Sequence, residues 1–112
     1  MTPIANTPNP PYYAVIFTSL GTDGDHGYSQ MAAKMVESAS KQPGFLGVES
    51  AREDIGITVS YWLDLESIKK WKMNIEHQKA QKLGREKYYS TFTTRITRGY
   101  LEKLEFLFKI EA

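Results

Sequence analysis

The stretch "YWLDLESIKKWKMNIEHQKAQ", residues 61–81, gathers Tyr61, Trp62, Trp71 and His77 among residues that are mostly charged or polar. Indole and phenol rings offer flat apolar faces on which a planar molecule can stack. Histidine is the side chain that exchanges protons near neutral pH. Together they suit a ring-lined chamber in which a proton moves on or off an aromatic ligand. A plainer reading stands beside it. Tryptophans anchor the cores of small domains, and a histidine beside Glu76 and among lysines is an ordinary solvated helix residue.

Farther on, "GREKYY" adds Arg85, Tyr88 and Tyr89. The forked guanidinium of Arg85 suits an anionic or phenolate-like oxygen, and it suits neighbouring Glu86 equally well. Tyr88 and Tyr89 face different ways on a helix, so at most one enters a common pocket. His26 lies in the polar loop "GTDGDHG" and reads as solvent-exposed.

Other chemistries are poorly served. The absence of cysteine excludes disulfides, thiol nucleophiles and thiolate metal sites. His26 and His77, the two histidines of the chain, are too few for a multi-histidine metal centre within it. There is no phosphate-cradling glycine loop, dinucleotide fingerprint, serine elbow or zinc-binding helix motif. "GTDGDHG" lacks the spacing and closing glutamate of a calcium loop. A net charge of +1 argues against nucleic acid as partner. Lys69, Lys70, Lys72, Lys79, Lys82, Arg85 and Lys87 make one segment locally basic, but acids and rings interrupt it, as on a solvated helix face. No apolar run is long enough to span a bilayer, so no membrane partner is expected. The start "MTPIANTPNPP" has neither the basic nor the apolar region of a signal peptide, which makes a cytoplasmic address the default.

The elements that would position these side chains are legible in the pattern. At 112 residues and 12.8 kDa the chain suits one domain. Residues 1–11 hold all but one of the five prolines and read as a flexible leader before a domain over 12–112. "YYAVIFTSL" (12–20) is a strand by its β-branched and aromatic content. After the loop, where Asp23 or Asp25 is available as an N-cap, Tyr28, Met31, Ala32, Met35, Val36 and Ala39 form one apolar helical stripe. "QPGF" (42–45) stops that helix. "FLGVESARE" and "ITVSYWL" read as a hairpin around "DIG" (54–56). In the second of these strands Ile57, Val59, Tyr61 and Leu63 share one face, and Thr58, Ser60 and Trp62 the other. Asp64 caps a second helix that carries Leu65, Ile68, Trp71 and Ile75. It runs on toward Tyr89, with a break expected near Asn74 and Gly84. A last strand falls within 88–100, and residues 101–112 carry no clear pattern.

The order βαββαβ defines a ferredoxin-like α+β unit, an antiparallel sheet with both helices on one face. The strands are apolar on both faces, and a bare apolar sheet face asks for cover. A homodimer built sheet on sheet supplies it.

Several segments carry a family resemblance: "PPYYAVIFTS", "MVESASKQPGFLGVES", "GITVSYW" and "IKKWKMNIEHQKAQKLGREKYY". Over about residues 10–100 the chain resembles the antibiotic biosynthesis monooxygenase-like domain. The resemblance implies a dimeric α+β barrel with a pocket between the sheet and the helices of each subunit. It implies, first, a cofactor-free monooxygenase acting on a small planar aromatic or quinol-type metabolite. In such enzymes the deprotonated substrate itself reacts with dioxygen, and the protein supplies shape, hydrogen bonds and exclusion of water. His77, Arg85 and Tyr88 would then serve catalysis, and Trp62, Trp71 and Tyr61 would bind the ring. A dimeric barrel that binds a small hydrophobic ligand without turnover, in a stress response, is the alternative. Haem degradation ranks third. That branch needs an asparagine on the first strand and a histidine ten residues after the tryptophan; here the strand has none, and Gln81 holds the second place relative to Trp71.

Overall fold

The computed structural model describes residues 4–21, 28–83, 85–86 and 89–99. Its elements are β1 (Tyr12–Gly21), α1 (Tyr28–Ser40), β2 (Phe45–Arg52), β3 (Ile55–Trp62), α2 (Leu65–Lys72), α3 (Ile75–Leu83) and β4 (Tyr89–Gly99). The four strands form one antiparallel sheet in the order β2-β3-β1-β4. This is the ferredoxin-like α+β arrangement expected from the pattern. His26, the two candidate caps in its loop, Gly84, Tyr88 and the tail 101–112 lie outside the described residues.

The hairpin turn is tighter than the sequence suggested, because β3 begins at Ile55 and leaves Glu53–Asp54 as the connection. The second helical stretch is divided at the expected place. Asn74 ends the run by capping α3: its side-chain Oδ1 accepts the backbone N–H of His77 at 3.2 Å. Asp64 does the same for α2, accepting from the N–H of Ser67 at 2.8 Å and from its hydroxyl at 2.7 Å.

Strand register fixes what each face carries. Tyr13 stands opposite Trp62, Val15 opposite Ser60 and Phe17 opposite Thr58, and Phe45 also pairs with Trp62. These residues share the inner face, toward the helices. Tyr12, Ala14, Ile16 and Leu20 of β1 then share the outer face with Ile55, Ile57, Val59 and Tyr61 of β3. The core is on the inner side. Trp62, Trp71, Ile68 and Ala39 are its buried members, flanked by Tyr13, Val15, Met35 and Phe45. Met35 and Ala39 come from the apolar stripe of α1, so the helical spacing read from the sequence delivers them to the sheet.

One turn holds this packing in register. Gly44, at φ +84°, takes the chain from α1 into β2, and its carbonyl accepts the N–H of Leu63 at 2.8 Å. The α1–β2 turn is thereby tied to the end of β3. Among the described residues no helix is long and apolar enough to cross a membrane.

Candidate functional site

The inner face carries a continuous row of rings drawn from four elements. Trp62, at the end of β3, is completely buried, and its indole N–H donates to Ser60 Oγ at 3.0 Å. Phe45 meets it edge-on, with centroids 5.4 Å apart and planes at 84°. Trp71, near the end of α2, stacks on Trp62 at 6.1 Å and 26° and is 8% exposed. His77, in the first turn of α3, tilts against Trp71 at 4.7 Å and 57°. The break at Asn74 makes this contact possible, because it starts a new helix three residues before the imidazole.

The imidazole is half-buried, and its surroundings keep it neutral. Burial pushes its pKa from 6.5 down to about 4, and the charge of Lys72 acts in the same direction. At pH 7 the ring is therefore a hydrogen-bonding imidazole and not a cation. The unfolded chain binds this proton more readily than the folded one, so acid favours unfolding. Stability contributed by the neutral ring is complete above the unfolded pKa and is lost as the pH falls from 6.5 toward 4. A loss of about 2 kcal/mol is expected between pH 7 and pH 5. Urea unfolding of the native chain and of His77→Gln at both pH values checks this. An equal acid loss in both chains would assign the effect to other groups.

Of the other sequence-predicted residues that the structure describes, Tyr61 and Arg85 are not brought into this row. Tyr61 lies on the outer face, where its hydroxyl donates to Glu49 Oε1 and its ring meets Tyr12 edge-on at 5.9 Å. Burial first, and then Glu49, raise that phenol above its ordinary range. Arg85 is exposed just past α3, next to exposed Glu86. Phe45 and Ser60 belong to the row and were not singled out from the sequence. The sequence signal for Phe45 was the hairpin, since pairing β2 with β3 places it opposite Trp62.

A cleft of about 300 Å³ opens between α1 and α3, away from the stacked indoles. Met31 and Leu83 line it with Lys34, Lys79, Lys82 and Glu86. Among the described residues no three His, Asp or Glu side chains gather closely enough to hold a metal ion.

Residues 11–83 match the sequence profile described as antibiotic biosynthesis monooxygenase. The chain belongs to the antibiotic biosynthesis monooxygenase family. It is 47% identical over 103 residues to YqjZ of Bacillus subtilis (strain 168), a protein described as uncharacterized, and the match covers 90% of each chain. Solved structures of the same fold include SnoaB from Streptomyces nogalater, described as a cofactor-independent oxygenase. It aligns with a TM-score of 0.73 at 12% identity, over 86% of this chain and all of that one. Rv0793 from Mycobacterium tuberculosis aligns with a TM-score of 0.72 at 7% identity, over 82% of this chain and 98% of the other. At such identities the alignments establish the shared fold. The family match and these folds agree with the resemblance carried by "QPGFLGVES" and "ITVSYW".

Proposed function

We propose that this protein is a cofactor-independent oxygenase acting on a small planar aromatic or quinol-type molecule, with Trp71 and His77 as the ligand-facing wall. The observation that carries the reading is the contact between a half-buried, neutral imidazole and the indole of Trp71. Trp62, being fully enclosed, supports Trp71 from behind and does not touch the ligand. Neutral His77 accepts the hydrogen bond of a phenolic hydroxyl. With a pKa near 4 it is a weak base, so full proton transfer becomes favourable only as the phenolate forms beside it and raises that pKa. Arg85, exposed just past α3, or Tyr88 is proposed to hold the oxyanion. The deprotonated ligand then supplies the electrons that reduce dioxygen, and the protein contributes orientation and dryness.

Oxygen uptake with a panel of quinols tests this, comparing the native chain with His77→Ala. At least a roughly tenfold lower rate is expected in the variant. Equal rates would remove the histidine from the mechanism.

A second reading, ligand binding without turnover, is favoured by the solid packing of Trp62 and the weak basicity of His77. Native mass spectrometry of protein from cell extract distinguishes it, since an unmodified co-purified ligand together with no oxygen uptake supports binding alone.

The proposed working unit is a homodimer joined through the outer sheet face. Leu20, Ile55 and Ile57 are large apolar residues left exposed on that face, and a second copy would cover them.

A further inference from the structure

The family match begins at residue 11, yet residues before it are seated on the sheet. The backbone N–H of Ala5 donates to Glu49 Oε2 at 3.1 Å. Its side chain fills the space above Gly47, where an added Cβ would lie 2.9 Å from that of Ala5. A larger residue at 47 would therefore push the segment away. The other carboxylate oxygen of Glu49 accepts the hydroxyl of Tyr61. Gly47 stands opposite Tyr61 and Glu49 opposite Val59, so this notch belongs to the outer face.

Glu49 is the one charged side chain that β1, β2 and β3 place on that face; Arg95 of β4 lies across the sheet from it. A carboxylate carried into an apolar contact is costly unless its oxygens keep their donors. Ala5 and Tyr61 supply one donor to each oxygen. Ile4, 68% exposed, adds an apolar side chain to the same segment.

We infer that residues 4–11 form a strap that is part of the docking surface for a second copy of this chain, making the Glu49 corner fit for burial. The inference rests on the paired-subunit reading above. It adds to it a segment outside the family match and a defined task for that segment.

Sedimentation velocity over a concentration series tests it on three chains: the full length, a chain lacking residues 2–6, and full-length Gly47→Val. Both altered chains are expected to dissociate at least about tenfold more readily, as when a buried carboxylate loses a donor. Adding Glu49→Gln to the shortened chain should recover most of that loss, because no charge remains to be enclosed. Gly47→Val expels Ala5 while keeping every residue, and carries the test if the shortened chain fails to fold. A full-length dimer whose dissociation constant is unchanged in both altered chains overturns the strap alone. A full-length chain that stays monomeric throughout overturns the paired subunit and the strap with it.

Discussion

Trp62→Ala is expected to lower the unfolding free energy by about 3–5 kcal/mol, the cost of deleting a large buried aromatic side chain. Trp62 has no exposed surface and is enclosed by Ala39, Ile68 and Trp71, with Phe45 and Tyr13 at the margin. Its removal leaves a hole bounded by α1, α2 and the sheet, and those elements cannot all move inward together. The Ser60 hydroxyl also loses its indole partner. A domain of this size has on the order of 5–15 kcal/mol in total, so the variant should be marginal. Urea unfolding followed by circular dichroism measures the loss. Trp62→Phe keeps much of the volume and should lose less than half as much. A loss under about 1 kcal/mol for the alanine variant would mean that this indole is not the keystone of the core.

Gly44→Ala is expected to cost about 3 kcal/mol or more, although it adds a single methyl group. Two causes act together. At φ +84° an L side chain is disfavoured against glycine. The added Cβ would also stand 2.0 Å from Ser67 Oγ and 2.6 Å from Ser67 Cβ. That serine cannot simply turn aside, since its hydroxyl and N–H both bind the capping carboxylate of Asp64. Relief at Gly44 therefore loosens the start of α2, the helix that carries Trp71. Combining Gly44→Ala with Ser67→Ala should recover part of the loss, because the hydroxyl contact goes while the backbone strain stays. Complete recovery would assign the whole effect to the hydroxyl clash, and no recovery would assign it to the backbone together with the Ser67 Cβ contact, which alanine keeps.

Much of this is legible in the amino-acid sequence. The stripe Met31–Met35–Ala39 marked the core side of α1, which depends only on local periodicity. The alternation in "ITVSYW" separated Ile57, Val59 and Tyr61 from Thr58, Ser60 and Trp62 but left open which set meets the helices; the core lies on the Trp62 side, and Ile57 is left exposed on the other. Asp64 marked a helix start, and Asn74 a break, through short polar side chains that compete for backbone N–H groups; that Asn74 also caps α3 came from the structure. The unit formed by Trp62, Trp71 and His77 was visible as a set of residue types. Its internal order was not, because the pairing of Phe45 with Trp62 and the tilt of His77 onto Trp71 depend on strand register and on the angle between α2 and α3. Tyr61 shows the limit most clearly. Adjacent to Trp62 in sequence, it sits on the opposite face of the sheet, as the two-residue period of a strand requires. Nothing local in "MTPIANTPNPP" indicated that Ala5 would find Glu49, a contact spanning 44 positions.

The stacked indoles have a practical consequence. The chain has two tryptophans, and they touch each other, so its entire indole emission arises from one spot beside His77. A protonated imidazole quenches a neighbouring indole, and a flat molecule arriving at Trp71 would alter the same signal. The protein thus carries an optical reporter at its own candidate site, with no label to attach and no distant tryptophan to subtract.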